Sequence, residues 1–181
     1  MRYASIRSLD ISNGEGVGVS LFVQGCDRHC FNCFNSETWD FNGGKEWTEE
    51  TKNKFMELID RPYIKRISIL GGEPLAEQNL DEVLSLIKQI RISFPEKTIW
   101  LYTGYNFDLL KLEYNEYKLY AANPTISPVR WEIISNVDVL VDGEYIDEQK
   151  DLSLKFRGSK NQSVIDVKQS LAQNKMVLYC D

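Results

Sequence analysis

Read for hydrophobic and polar positions, the chain alternates short apolar runs with longer stretches of helical periodicity. Val17–Val23 is strand-like, and Asn13-Gly14-Glu15-Gly16 before it reads as the turn of a hairpin with Arg7–Ile11. Thr48 is placed to cap a helix whose first turn carries Glu49 and Glu50, where the helix dipole favours negative charge. Phe55, Leu58 and Ile59 give that helix an apolar side, and Pro62 marks its end. Ile67, Ile69 and Leu70 predict a short buried strand. Asn79 with Glu82 has the form of a capping box. The helix it opens shows Leu80, Val83, Leu84, Ile87, Ile90 and Phe94 at helical spacing, up to Pro95. Thr98–Tyr102 predicts another strand, turning at Gly104, and a helix from Phe107 carries Leu109, Leu110 and Leu112.

The regular pattern then lapses. Tyr117 to Pro128, with Asn123-Pro124 and Ser127-Pro128, reads as a loop or inserted segment. Val137–Val141 is a compact apolar strand closed by Asp142-Gly143. The tail from Ser153 to Asp181 alternates polar and apolar residues in places and can supply strands or a short helix. Repeated strand–helix units with near-continuous apolar strands imply a parallel sheet covered by helices. The units are too few for a closed eight-stranded barrel. The expected fold is α/β, an incomplete, open parallel β/α barrel, with residues 1–181 as one domain.

Composition narrows the function classes. A formal net charge of −6 argues against a broad electrostatic grip on nucleic acid. No apolar stretch approaches a membrane span, and the residues after Met1 lack a signal-peptide pattern. Those features, with the cysteines concentrated in one motif, point to a reducing, cytoplasmic setting. His29 is the only histidine. One histidine cannot serve a histidine-based triad and a histidine-rich metal site together, and the chemistry is expected to come from a cofactor.

The candidate chemistry sits in Cys26-Asp27-Arg28-His29-Cys30-Phe31-Asn32-Cys33, a Cys-x3-Cys-x2-Cys loop directly after the first apolar strand. Three thiolates on one tight loop suit a 4Fe-4S cluster with one iron left open to a substrate. Zinc is the competing reading, with Cys180 as a fourth ligand, since structural zinc sites close all four positions. Disulfides at such short spacings are disfavoured. His29, beside Cys30, reads as a loop residue, and Cys180 reads otherwise as a free thiol. Gly71-Gly72-Glu73-Pro74 follows the strand ending at Leu70, and in parallel α/β folds ligands gather at such carboxyl ends. Two glycines there let the backbone approach a ligand closely.

With these residues the chain resembles the radical S-adenosylmethionine enzymes. Within them it is similar to the activating enzymes of anaerobic (class III) ribonucleoside-triphosphate reductases. The resemblance also rests on Asp10-Ile11-x-Asn13-Gly14-x-Gly16, Cys33-Phe34-Asn35, Thr38-Trp39 and Trp100-x-Tyr102-Thr103-Gly104-Tyr105. It continues through Val139-Leu140-Val141-Asp142-Gly143 and Arg157-Gly158-Ser159-x-Asn161-Gln162. It implies an open barrel of the radical S-adenosylmethionine type, with Cys26, Cys30 and Cys33 holding a 4Fe-4S cluster. S-adenosylmethionine would chelate the open iron, with its amino group received by Gly71, Gly72 and Glu73. Reductive cleavage would give a 5′-deoxyadenosyl radical, which would take a hydrogen atom from a glycine of the reductase. A reduced flavodoxin-type protein is the implied electron donor.

Some positions depart from that pattern. Asn32 stands where many members of the superfamily have an aromatic residue against adenine, and Phe34 where activating enzymes often have tyrosine. Asp142 reads equally as a turn residue or a ribose contact. Arg157, Ser159 and Asn161 read as partner or substrate contacts or as loop structure, and Trp39 as packing. The segment from Tyr114 to Trp131 exceeds what a minimal activating enzyme needs. Two other readings remain open at this level. One is a compact radical enzyme acting on a metabolite, such as 7-carboxy-7-deazaguanine synthase; the other is a zinc-stabilised binding module.

Overall fold

The computed structural model describes residues 1–119 and 128–180. Its strands are β1 (Arg2–Asp10), β2 (Gly18–Val23), β3 (Lys45–Glu46), β4 (Arg66–Gly71), β5 (Thr98–Tyr102), β6 (Val139–Asp142), β7 (Ser163–Asp166) and β8 (Leu178–Cys180). Its α-helices are α1 (Glu49–Ile59), α2 (Leu80–Ser93), α3 (Phe107–Leu119), α4 (Pro128–Ser135) and α5 (Val167–Gln173). One sheet runs in the order β3-β1-β2-β4-β5-β6-β7-β8, with β3 and β8 as separate edges, so it does not close.

The α/β class and the open sheet agree with the sequence reading, but only part of the sheet is parallel. β2, β4, β5 and β6 run parallel, with α1, α2 and the α3–α4 pair in the connections. β1 and β3 on one side, and β7 and β8 on the other, pair antiparallel. The reason is local. A parallel neighbour needs a long crossover, whereas a turn joins β1 to β2; the connection from β6 to β7, residues 143–162, is long but carries a 3-10 turn and no α-helix to pack across the sheet.

The strands are two-faced, and that decides where the site sits. Val19, Leu21, Val23, Ile67, Ile69, Ile99, Leu101, Leu140 and Ile165 alternate onto one face. There they pack with Phe55 and Ile59 of α1, Val83, Leu86, Ile87 and Ile90 of α2, and buried residues of α3, α4 and α5. The other face carries a smaller cluster of Trp100, Val139, Val141 and Val164, with Tyr102, Phe156 and Cys180 against it and no α-helical residue among them. The helix layer thus covers one face and leaves the other to loops and a cavity.

Most local signals read correctly. Thr48 caps α1 by accepting the Thr51 N–H at 3.2 Å, and β5 spans the residues expected. The capping box at Asn79 does not form. Its backbone is near-helical, and its side-chain amide donates instead to the carbonyls of Gln24 (3.1 Å) and Glu73 (3.0 Å). Glu82 accepts the Trp47 indole N–H at 3.1 Å. In α3, Leu110 is buried while Leu109 and Leu112 are exposed. The stretch expected to be irregular is helical at both ends: α3 continues to Leu119 and α4 begins at Pro128, where the fixed φ of proline suits a first helical position. Trp131 of α4 is a core residue whose ring stacks on Tyr114 at 5.6 Å. Residues 120–127, which include Asn123-Pro124 and Ser127, lie outside the described residues.

Candidate functional site

A cavity of about 560 Å³ opens at the carboxyl ends of the parallel strands. Its lining brings together Cys26, Cys30 and Cys33 after β2, Gly71, Gly72 and Glu73 at the end of β4, Thr103 and Gly104 after β5, and Gly143 after β6. Phe34 and Arg157 also line it; Asn32, Asp142, Ser159, Asn161 and Cys180 do not.

The loops after β2 and β4 interlock through backbone. The Gly72 N–H donates to the Val23 carbonyl at 2.9 Å, and the Glu73 N–H to the Gly25 carbonyl at 2.7 Å. A Cβ on Gly72 would lie 2.4 Å from the Gly25 oxygen, closer than any side chain tolerates. Gly71, at φ +107°, turns the chain out of β4 in a conformation that glycine adopts without strain. Asn79, buried behind both loops, ties Gln24 to Glu73 through the hydrogen bonds given above.

The cysteine loop bends twice through left-handed residues, His29 (φ 50°) and Asn32 (φ 54°). The Cys33 N–H closes a turn on the Cys30 carbonyl at 3.1 Å, and the Cys33 sulfur accepts the Asn35 N–H at 3.4 Å. All four cysteines are free thiols. Burial pushes the Cys26 thiol up, with the nearby Glu73 and Asp27 charges adding to it. Burial likewise raises the Cys30 thiol, with Glu144 adding to it and the Tyr145 N–H opposing. Bare thiolates are therefore disfavoured there, and a bound cation would reverse that balance. Among the described residues no three His, Cys, Asp or Glu side chains are gathered closely enough to hold a metal ion as they stand. The donor set fits a 4Fe-4S cluster by its chemistry: three unpaired thiols from one loop share a cavity, and Cys180 sits on edge strand β8 outside it. His29 stacks on Trp39 at 4.7 Å, a packing arrangement for both rings.

Glu73 is fully buried yet lines the cavity. Its Oε1 accepts the Leu75 N–H (2.8 Å) and the Thr103 hydroxyl (2.7 Å), and its Oε2 accepts the Gly104 N–H (2.7 Å). Burial raises its pKa to about 7 against the pull of those donors. Oε2 carries one protein hydrogen bond and keeps capacity for a further donor.

The remaining sequence candidates divide between cavity wall and scaffold. Phe34 is half exposed and packs on Tyr145 at 5.0 Å. Asn32 donates to Asp147 at 2.9 Å, which fastens the cysteine loop to the segment after β6. Asp142 is buried and accepts the N–H groups of Phe107 (2.8 Å) and Ser163 (3.1 Å), a brace between α3 and β7. Asn161 donates to the Glu144 carbonyl at 2.8 Å, and Ser159 accepts the Ile146 N–H at 3.2 Å. Arg157 reaches the Gln162 carbonyl at 3.2 Å while lining the cavity. Sequence reasoning gave no site role to Gly25, Arg28, Thr103 or Gly104. For Thr103-Gly104 the signal was available, a glycine just past a parallel strand as at Gly71.

Comparison with known proteins agrees with this geometry. The family model described as 4Fe-4S single cluster domain matches residues 12–165. The anaerobic ribonucleoside-triphosphate reductase-activating proteins of Salmonella typhi and of Escherichia coli (strain K12) are each 36% identical over 166 residues, 91% of this chain and 97% of the relative. The protein of that name from Enterobacteria phage T4 is 35% identical over 164 residues, 90% of this chain and 92% of its own. The chain belongs to the 4Fe-4S single cluster domain family and, within it, to the anaerobic ribonucleoside-triphosphate reductase-activating proteins.

Proposed function

We propose that this chain is the activating enzyme of an anaerobic ribonucleoside-triphosphate reductase and that residues 1–181 work as a single radical S-adenosylmethionine domain, its unclosed sheet being an incomplete barrel. The observation that carries the reading is the convergence of Cys26, Cys30 and Cys33 with Gly71-Gly72-Glu73 on one cavity. The three cysteines would hold the cluster. When bound, a 4Fe-4S cluster supplies one low-potential electron for cleaving S-adenosylmethionine to the 5′-deoxyadenosyl radical, which generates the glycyl radical on the reductase.

The chain's own residues bind and orient. Gly71 and Gly72 present bare backbone to the cavity, so a methionyl amino group can approach their carbonyls, and Glu73 Oε2 has a lone pair left to receive it. Phe34 supplies an apolar wall beside the cysteine loop. Asn32 and Asp142 act on the bound cofactor through the loops they brace. Family membership supports the reductase as protein substrate; the reduced flavodoxin-type donor is carried over from the sequence resemblance alone. The unpaired cysteines suit the reducing cytoplasm, and among the described residues no helix is long and apolar enough to cross a membrane.

The test is an anaerobic electron paramagnetic resonance spectrum of iron-reconstituted, reduced protein with S-adenosylmethionine and a class III reductase from the same source. A glycyl-radical doublet is expected, lost in Cys30→Ala and retained in Cys180→Ser. A reduced-cluster signal without the doublet would redirect the assignment to a metabolite enzyme such as 7-carboxy-7-deazaguanine synthase. Zinc in place of a cluster, released by Cys180→Ser, would establish a binding module instead.

A further inference from the structure

Arg28 lies inside the cysteine loop, between Cys26 and Cys30, and is the only lysine or arginine there. Its guanidinium carbon sits 3.8 Å from the centre of the Tyr105 ring, and its Nη1 donates to the Glu144 carboxylate at 3.0 Å. A second guanidinium, from Arg130 of α4, lies 4.9 Å from the same ring centre and donates through Nε to the Leu75 carbonyl at 2.9 Å. Gly104 makes room for this arrangement, since a Cβ there would come within 3.0 Å of Arg28 Cγ. One stack therefore links the loop after β2, the turn after β4, the end of β5 and the segment after β6. Cation–π contacts of this kind strengthen as the cation is desolvated, and the Arg28 side chain is 26% exposed.

We infer that Arg28 is a positioning residue, stacked on Tyr105 and paired with Glu144, which fixes the cysteine loop over the cavity and sets the electrostatic potential felt by the cluster the loop holds. The inference rests on the cluster assignment made under the proposed function. One-electron reduction adds a negative charge to a cluster, so a fixed cation beside it raises the reduction potential and a fixed anion lowers it. Glu144 opposes Arg28 in this respect and is the more solvated of the pair, with 49% of its side chain exposed. Its influence is therefore the smaller one.

The experiment is a spectroelectrochemical titration of the reconstituted full chain, without S-adenosylmethionine or reductase, in the parent and in Arg28→Gln, Arg28→Lys, Glu144→Gln and the Arg28→Gln/Glu144→Gln double variant. Arg28→Gln is expected to move the potential negative, Glu144→Gln to move it positive by less, and Arg28→Lys to hold it at the parent value. The double variant falls between the two single variants. Hydrogen–deuterium exchange of cluster-free protein should be faster over residues 26–34 in Arg28→Gln. Equal shifts in Arg28→Gln and Arg28→Lys would overturn the inference, because loss of shape rather than charge would then be the cause. A cluster in every variant at an unchanged potential would also overturn it and leave the proposed function standing. A parent that takes up no iron–sulfur cluster would overturn both.

Discussion

Replacing Glu73 with glutamine tests how the buried carboxyl at the cavity is held. In the protein its two oxygens face three donors, the N–H groups of Leu75 and Gly104 and the Thr103 hydroxyl, with nothing cationic in direct hydrogen-bond contact. Burial dominates and moves the carboxyl from its ordinary 4.5 to about 7. An acid whose folded pKa is raised binds its proton more tightly in the folded state. Its contribution is fully present at low pH and is lost as pH rises through the window from 4.5 to about 7. At about 1.4 kcal/mol per pH unit the loss across that window is about 3 kcal/mol. Glutamine does not titrate, but its NH₂ faces one of the three donors and leaves that donor unpaired, a cost of about 1–3 kcal/mol at every pH. Glu73→Gln should therefore be clearly destabilising at pH 5 and close to neutral at pH 8. Urea unfolding of cluster-free protein at pH 5, 6, 7 and 8 reads this directly. Subtracting the variant from the parent removes other titrating groups, such as Asp142, whose carboxyl burial also pushes up. Parallel stability curves for parent and variant would refute the reasoning, since the carboxyl would then titrate alike in the folded and unfolded chain.

Two further substitutions test the scaffold. Gly72→Ala places a Cβ 2.4 Å from the Gly25 carbonyl oxygen, so the two loops must part and the Glu73 N–H to Gly25 hydrogen bond weakens. A loss of about 1–3 kcal/mol by thermal unfolding and reduced iron uptake on reconstitution are expected, and an unchanged melting temperature would count against the interlock. Asp10→Ala leaves the fully buried Arg66 guanidinium without its carboxylate, which otherwise accepts from Nη2 at 3.2 Å. The expected cost is about 3 kcal/mol in urea unfolding, because the partner charge stays buried. Pairing it with Arg66→Met should recover much of that loss, and a single-variant cost below about 1 kcal/mol would show that the other acceptors of Arg66, the main-chain carbonyls of Asp10 and Asn13 and the Ser68 hydroxyl, satisfy it alone.

What the sequence revealed was what is local in it. The cysteine loop and Gly71-Gly72-Glu73 each lie within a few residues, and Thr98–Tyr102 is a run of β-branched and aromatic residues with one leucine, bounded by turn signals. Asn79 misled because its partners, the carbonyls of Gln24 and Glu73, belong to two loops that only the sheet brings together. Asp142 and Asn32 are likewise defined by partners far along the chain, at Ser163 and Asp147. The α4 helix was hidden by Ser127-Pro128, a breaker signal that also suits a helix start when proline takes the first position. The one-sided helix layer was partly legible, since Arg66 and Ser68 alternate with Ile67 and Ile69 in a strand that would otherwise read as apolar throughout.

The glycines at the junction explain how thiols and carboxyl come to share one cavity. The chain leaves β2 at Val23 and must reach Cys26 within three residues. Gly25 takes a left-handed turn at φ +93°, and a Cβ on it would fall 2.1 Å from the Phe41 ring on one side. Gly72 meets the Gly25 carbonyl on the other. Two backbone segments therefore pass at a separation that no pair of side-chain-bearing residues permits. The position of Cys26 is fixed by the same contacts that fix Glu73, whose N–H donates to Gly25 and whose carboxylate accepts from Thr103 and Gly104 in the loop after β5. A shift of the cysteine loop must move the Glu73 turn with it. This coupling makes the junction, rather than any single side chain, the feature that keeps the cysteine loop and the Glu73 turn in mutual register.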